Sequence, residues 1–336
     1  MFVGHVHHPP LRPSSRSSQS RGFSVRWLTL ILRGGGFSTS GGLDSETTPT
    51  SFIRHLAFDI RHSNYLCCGC THTHTLSNSM PRYRLLLEYD GTRYSGWQMQ
   101  QNARTVQGML INAARDAFGK VGEVMGSGRT DAGVHALGQV VHIDLPENLP
   151  SNRIRIGLND RLPADINVLN AFSVPKNFHA RHDAIGRSYL YQISRRRTAF
   201  GKNLVWWIRD DLDVGAMRRA STIATGMHDY RAFADNDPSE KSTMVLVESV
   251  EVGESGDLIL IRIRASHFLR KMVRRMTGCI VEIGRGNLPL DAFAASLENP
   301  DRAMTMTAPP SGLFLQQVRY KGEAYQTELK PAVIEL

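Results

Sequence analysis

One aspartate in a glycine-rich stretch is the strongest candidate for chemistry in this sequence. Asp131 lies between Arg129 and His135 in the run GSGRTDAGVHA, residues 126–136. Glycine lets a backbone turn sharply and approach a ligand closely, and a neighbouring guanidinium orients a carboxylate through charge-assisted hydrogen bonds. The pattern is typical of an acid that serves as a nucleophile or a base. The simpler interpretation is a turn whose Arg and Asp form a surface ion pair.

A second candidate group lies on a predicted strand, RSYLYQIS. Tyr189 and Tyr191 share one face of it with Arg187, because side chains two residues apart on a strand point the same way. A tyrosine ring can stack on a base that has been extruded from RNA. Packing in the core is the ordinary role of such a tyrosine, so both interpretations stay open here.

A helix predicted over residues 268–283 separates apolar from basic residues. At 100° per residue its apolar side chains share one arc, and the opposite arc carries four cations: Arg270, Lys271, Arg274 and Arg275. No acid precedes Glu282 to pair with them, so mutual repulsion disfavours a face exposed only to water. The alternatives are a track for phosphates and an ion pair with a site carboxylate.

Composition and missing motifs narrow the class of protein. The chain has 336 residues, a formal net charge of +9 and 41% hydrophobic residues, which suits a globular protein with a polyanionic partner such as nucleic acid. No apolar run is long enough to predict a membrane span. Motifs of phosphate-binding loops, zinc deaminases, zinc proteases and serine hydrolases are also missing. The remaining candidates are one aspartate with arginines, aromatic residues that can stack, and basic faces. They indicate an enzyme that extrudes a nucleotide from RNA and acts on it with one carboxylate.

Residues 1–79 differ in composition from the rest of the chain. They are rich in Arg and Ser, contain no Lys and contain no acid before Asp44. They are either an organelle transit peptide or a disordered leader that precedes the natural start at Met80. The second interpretation is preferred because periodic patterns begin at Met80. Three cysteines at 67, 68 and 70 with histidines at 72 and 74 are too close together to surround a tetrahedral zinc ion comfortably, and no metal site is predicted.

The remaining chain predicts a mixture of strands and helices. Strands are expected from Arg82 and over residues 123–127, 139–145, 166–174, 187–194, 244–252, 258–265 and 313–320, and helices over 105–118, 153–162, 213–225, 268–283 and 289–297. A hairpin across residues 253–257 implies antiparallel pairing. His142, in an alternating strand, is expected to face solvent or neighbouring strands.

Five motifs, in order, resemble the TruA-type tRNA pseudouridine synthases. They are YDGTRYSGWQMQQNARTVQG (89–108), GSGRTDAGVHALGQ (126–139), FHARHDAIGRSYLYQI (178–193), HFLRKMVRRMTGCIVEIGRG (267–286) and APPSGLFLQQVRY (308–320). The likeness covers about Arg82 to Tyr320. It leaves only the leader unmatched.

The resemblance implies a fold and an activity. The expected fold is α+β, with two pseudo-symmetric halves, each a mostly antiparallel sheet with helices on one face, meeting at a central RNA-binding cleft. The halves are residues 80–177 and 178–325, followed by a tail at 326–336. The implied reaction is isomerisation of uridine to pseudouridine on the 3′ side of the tRNA anticodon stem-loop, at tRNA positions 38–40. The implied enzyme is a cofactor-free, cytoplasmic homodimer whose partner is tRNA, with no membrane association.

The resemblance also implies roles for individual residues. Asp131 matches the catalytic aspartate, and Arg129 matches an arginine that helps to extrude the uridine and takes its place. Tyr189 matches the tyrosine that packs against the target base. Arg274 matches the basic residue that pairs with the aspartate, a choice that spacing alone could not make over Arg275. Further possible RNA contacts are Arg187, Arg270, Lys271 and Arg275.

Alternatives to this mechanism and function stay open at the level of sequence. Asp131 could add to C1′ of the ribose, add to the uracil ring, or remove a proton from the ribose. A tRNA-binding or RNA-folding protein without chemistry would use the same cleft. An acid-dependent hydrolase would need a second carboxylate or a metal cluster at plausible spacing, and the sequence offers neither.

Overall fold

A computed structural model describes residues 80–235 and 242–332, all of which belong to one compact unit, Thr73–Leu336. The leader and its cysteine and histidine cluster lie outside the described residues. No helix within the described part of the chain is long and apolar enough to cross a bilayer.

The described residues form ten strands and five α-helices. The strands are β1 (Arg82–Tyr89), β2 (Val124–Gly126), β3 (His135–Asp144), β4 (Ile166–Val174), β5 (Ala184–Ser194), β6 (Trp206–Trp207), β7 (Gly226–Asp229), β8 (Met244–Ser255), β9 (Leu258–Ala265) and β10 (Leu313–Tyr320). The helices are α1 (Val106–Phe118), α2 (Ser151–Asn159), α3 (Val214–Ile223), α4 (Met272–Gly284) and α5 (Leu290–Glu298).

All ten strands belong to one sheet, which confirms the mostly antiparallel α+β fold. Its order is β4-β1-β3-β10-β5-β9-β8-β7, with β2 on β3 and β6 on β5. Only β10–β3 and β6–β5 are parallel among these pairs. The β10–β3 pair, in which Phe314 lies opposite His135, joins the strands of the two halves at the middle of the sheet.

The helices cover one face of this sheet. Their buried side chains, such as Leu110, Leu158 and Met217, belong to the large core cluster together with Tyr191 of β5. Leu190, the neighbouring residue on β5, points to the opposite face, as the pleat of a strand requires. Local caps support the helix starts: Thr105 accepts a hydrogen bond from the Gly108 N–H at the beginning of α1.

The C-terminal segment covers part of the opposite face. Leu329 and Ala332 pack there against a smaller cluster that includes Leu190 and Phe314. Arg262 of β9, fully buried, pairs with Glu251 and donates to the carbonyl oxygens of Gln326, Thr327 and Glu328. Residues 326–332, which we expected to be a tail, are thus fastened to the sheet.

Two local predictions were wrong, and one of the two orientations expected for His142 is excluded. The helix predicted from Phe268 begins only at Met272, because Lys271 adopts a left-handed conformation (φ 62°) that the α-helix cannot contain. The predicted five-residue hairpin loop is a two-residue turn at Gly256–Asp257, since β8 continues to Ser255 opposite Leu258. His142 does not face solvent; it is fully buried.

Candidate active site

Asp131 lies on a loop, residues 127–134, that connects β2 to β3 and is tied to neighbouring segments through its backbone. The Trp97 N–H donates to the Thr130 carbonyl oxygen at 3.0 Å, and the Gly133 N–H donates to the Tyr94 carbonyl oxygen at 3.2 Å. The Val134 N–H closes a turn onto the carbonyl oxygen of Asp131. Because the backbone is fixed at Thr130, at Gly133 and at Asp131 itself, the carboxylate of Asp131 is presented from a well-held loop.

Buried side chains brace the same loop from the sheet side. Ser127 Oγ donates to Gln139 Oε1 at 2.7 Å, and Gln139 Nε2 donates to the Gly128 carbonyl oxygen at 2.9 Å. The hydroxyls of Tyr89 and Thr130 are hydrogen-bonded at 2.9 Å. These contacts satisfy polar groups that would otherwise be buried at a cost.

Two of the motif's glycines are required by the geometry. Gly133 has φ +78°, which side chains rarely adopt. A Cβ on Gly126 would lie 2.6 Å from the Trp97 ring, so the close packing of that indole depends on a residue without a side chain. The sequence predicted sharp turning and close approach, and the close approach at Gly126 is to a core side chain.

Arg274 of α4 faces Asp131 across the cleft. Its Nη1 lies 3.2 Å from Asp131 Oδ2, and its Nε donates to the Ala308 carbonyl oxygen at 2.8 Å. The Arg274 side chain is 15% exposed and that of Asp131 is 33% exposed. The pair is therefore partly shielded from water but open on the side of the carboxylate, as a group that must reach a substrate needs to be.

Tyr189 lies in the same cleft as Asp131. Its ring is largely buried and packs edge-on against Phe268 with centroids 5.0 Å apart. Burial raises the pKa of Tyr189 to about 12, so its hydroxyl is neutral at physiological pH and can donate a hydrogen bond. An aromatic ring that lines the cleft suits contact with a flat base.

The cleft has a volume of about 940 Å³ and a strongly positive lining. Among its described residues there is one carboxylate, Asp131, and six cationic side chains: Arg129, Arg181, Arg187, Arg270, Lys271 and Arg274. Arg129 and Arg270 are exposed. Such an excess of positive charge attracts a polyanion and leaves phosphate oxygens well matched to guanidinium donors.

The structure separates the four cations that sequence had grouped together. Arg274 enters the cleft, whereas Arg275, the next residue on α4, does not line it and pairs instead with Asp235 and the Ala234 carbonyl oxygen. Lys271 lines the cleft while pairing with Asp235 at 2.7 Å. The turn of about 100° between helix neighbours explains the separation. The RNA contact expected of Arg275 stays a prediction.

Two cleft residues were not singled out from the sequence. Arg181 lies in the segment between the halves, where a lone arginine carries no local signal. Phe268 was assigned to a helix core, but it packs on Tyr189 instead, because the helix begins four residues later. The resemblance motif FHARHDA did contain Arg181, and its position beside the Tyr strand was the only available signal.

His135 connects the segment at Gly91 with the segments at Asn203 and Ser311. Its Nδ1 accepts from the Gly91 N–H at 3.1 Å, and its Nε2 donates to the carbonyl oxygens of Asn203 and Ser311 at 3.0 and 3.1 Å. Burial lowers the pKa of His135, although Asp90 lies nearby. The neutral ring is thus fixed in one tautomer.

Glu123, His142 and His179 form a cluster of metal-ligand types outside the cleft. His142 Nδ1 accepts from the Ala180 N–H, and His179 Nδ1 accepts from the Arg181 and His182 N–H groups. A neutral imidazole that accepts at Nδ1 carries its proton at Nε2. His142 Nε2, which lies 3.3 Å from Glu123, is therefore protonated, and the cluster is better described as histidines beside a carboxylate than as a cation site.

Comparison with known proteins gives a consistent set of relatives. The sequence profile of a family described as tRNA pseudouridine synthase matches residues 86–183 and 220–321. The chain is 44% identical to tRNA pseudouridine synthase A of Rhodopseudomonas palustris (strain BisA53) over 246 residues, which are 72% of this chain and 100% of that protein. It is 40% identical to the protein of the same name from Geobacter sp. (strain M21) over 245 residues, 72% of this chain and 99% of the relative.

A solved structure shows a much weaker likeness. It is the crystal structure of the archaeal box H/ACA sRNP Nop10-Cbf5 complex, with 10% identity and a TM-score of 0.32. The match covers 63% of this chain and 47% of that chain. At this level the likeness adds nothing to what the sequence relatives show.

Proposed function

The chain belongs to the tRNA pseudouridine synthase family and is an isomerase; we propose that it acts on uridines of the tRNA anticodon stem-loop, with Asp131 as its catalytic residue and no cofactor. The observation that supports this most is the Asp131–Arg274 pair, which lies in a positive cleft beside the Tyr189 ring. The pair supplies an ionisable acid held beside a fixed cation, which suits a reaction without net hydrolysis.

The isomerisation requires the cleft to retain the uracil after it has been detached from the ribose. Isomerisation breaks the N1–C1′ bond, turns the detached uracil and forms a C5–C1′ bond; C5 loses its hydrogen and N1 gains one. No oxidant or reductant is needed because substrate and product are isomers. Asp131 could serve by attack on C1′, by addition to the ring or by removal of a ribose proton. In each case the cleft must hold the free base while it turns.

The other cleft residues have roles that fit this sequence of events. In this proposal Arg129, which is exposed and lies two residues before Asp131, enters the stack when the uridine leaves it. Tyr189 packs against the extruded base, and Arg270 and Lys271 bind phosphates. The sheet that runs through both halves, residues 80–177 and 178–325, holds these groups at a fixed spacing.

Release of tritium from tRNA transcribed with 5-tritiated uridine tests the proposal. We expect release from a tRNA with uridines at positions 38–40 and none from a matched transcript with cytidines there. Release from both transcripts would contradict the anticodon assignment. Binding of tRNA without any release would instead indicate an RNA-binding protein without chemistry.

The homodimer and the cytoplasmic location are also proposals, and they rest on the resemblance. Sedimentation equilibrium of the purified protein measures the first. The mass of the native N-terminus shows whether the protein begins at Met80 or carries residues 1–79, and imaging then distinguishes cytoplasm from organelle.

A further inference from the structure

Arg187 is a buried cation with an unusual set of partners. It lies on β5 two residues before Tyr189 and is 9% exposed. Its Nη1 donates to the carbonyl oxygens of Ala184 and Ser266 at 3.1 and 3.2 Å, and its Nη2 donates to those of Ser127 and Arg181 at 2.9 Å each. No carboxylate pairs with it among the described residues.

The carbonyl groups belong to segments that each carry a side chain of the cleft. Ser127 begins the loop that presents Asp131. Ser266 precedes His267 and Phe268, and Phe268 packs on Tyr189. Arg181 lines the cleft itself. One guanidinium thus connects the loop of the acid, the support of the tyrosine and the segment between the halves.

Burial of the Arg187 guanidinium without a carboxylate partner costs free energy, which indicates that the position of this group matters. Burial lowers the pKa of Arg187 because only carbonyl dipoles compensate its charge. A well-packed apolar side chain would avoid this desolvation. Only arginine offers five donors in a rigid planar fork, so no other side chain could reach these four acceptors together.

We propose that Arg187 is a positioning residue for the isomerisation: it sets the spacing between the Asp131 loop, the Tyr189 ring and the segment at Ser266. The inference rests on the proposed function. It assigns Arg187 a task inside the protein, distinct from a direct contact with RNA. A detached base can rejoin through C5 only if the Asp131 carboxylate and the Tyr189 ring keep their relative positions. A displacement of about 1 Å in such groups lowers the rate by about 100-fold.

Arg187→Lys tests the proposal, with Arg262→Lys as a matched control. Arg262 is also buried and also donates to backbone carbonyl oxygens, but those belong to the C-terminal segment, and it pairs in addition with Glu251. We expect both variants to lower the Tm. In single turnover with saturating tRNA, Arg187→Lys should lose about 100-fold in rate with a change in tRNA Kd below about threefold, while Arg262→Lys should keep the wild-type rate per folded protein.

Other outcomes have separate meanings. A wild-type rate in Arg187→Lys, or equal losses in both variants, would overturn the positioning role. A loss confined to tRNA Kd would overturn it in favour of an RNA contact. Inactive wild-type protein would reject the proposed function instead. If the lysine variant does not fold, Arg187→Ala with added guanidinium ion replaces it, and a rate that rises with guanidinium at unchanged tRNA Kd supports the proposal; no rise overturns it.

Discussion

The guanidinium of Arg274 lies between the Asp131 carboxylate and the Ala308 carbonyl oxygen, at 3.2 and 2.8 Å. The contact with Ala308 fixes the arginine, and the arginine in turn fixes the acid. The next residue on α4, Arg275, makes an equivalent pair with Asp235 outside the cleft. These neighbouring arginines have the same chemistry and different surroundings, so they can be compared directly.

The first prediction concerns this comparison. Arg274→Gln should lower kcat by about 100-fold or more, because it removes a fixed charge from the reacting carboxylate. Arg275→Gln should lower the Tm by removing one of the two cations that pair with Asp235 but reduce kcat much less. Single-turnover rates of pseudouridine formation, normalised to folded protein, measure both. Equal losses of kcat would contradict the assignment of Arg274 to the acid.

The second prediction concerns Tyr189. Because its ring packs on Phe268 and faces the cleft, Tyr189→Phe should keep base stacking and most tRNA affinity. Tyr189→Leu should lose stacking of about 1–3 kcal/mol on the extruded base. Rates and tRNA Kd of the two variants separate the ring from the hydroxyl. If phenylalanine is as damaging as leucine, the hydroxyl and not the ring carries the function.

The third prediction compares two glycines of the motif. Gly126→Ala places a Cβ 2.6 Å from the Trp97 ring, whereas the closest atom to a Cβ at Gly128 is the Tyr189 hydroxyl oxygen at 3.9 Å. Gly126→Ala should therefore lower the free energy of unfolding by about 1–3 kcal/mol through overpacking. Gly128→Ala should change it much less. Urea unfolding followed by tryptophan fluorescence measures both, and similar values would show that Trp97 can move.

The fourth prediction concerns acid stability through His142. Burial, helped by the Arg82 charge and opposed by Glu123, lowers the pKa of His142 below 6.5 in the folded protein. Folding therefore favours the neutral ring, so its contribution to stability is present above pH 6.5 and is lost as pH falls through the lower folded value. The side chain of His179 also packs against this ring.

Urea unfolding at pH 7.5, 6.5 and 5.5 measures that dependence. His142→Asn keeps an acceptor for the Ala180 N–H but cannot be protonated. We expect the wild-type free energy of unfolding to fall more steeply over this range than that of the variant. Parallel curves would show that other groups, such as His135, account for the acid sensitivity.

Local patterns predicted the elements better than the contacts between them. The bounds of β4 and β9 were predicted correctly because apolar alternation ends at clear turn residues. The start of α4 was not, since periodicity does not show that Lys271 turns left-handed. Arg187 shares a strand face with Tyr189 as expected, but its partners at Ser127 and Ser266 lie 60 and 79 residues away.

In the site, too, the sequence predicted individual residues better than the contacts between them. The glycines and the arginine around Asp131 identified its loop as a candidate site, and the resemblance selected Arg274 over Arg275. Spacing alone could not do so, because which neighbour reaches the acid depends on how α4 docks on the sheet. The burial of His142 was unpredictable for a similar reason: Ala180, 38 residues later, covers it.

The most direct test of the account is tritium release by Asp131→Asn from tRNA transcribed with 5-tritiated uridine, with tRNA Kd measured in parallel. Asparagine keeps the shape of the side chain and removes its charge and nucleophilicity. We expect no release above background and a Kd within about threefold of the wild-type value, because phosphate contacts dominate affinity. Release at the wild-type rate would contradict the central claim that this carboxylate carries the reaction.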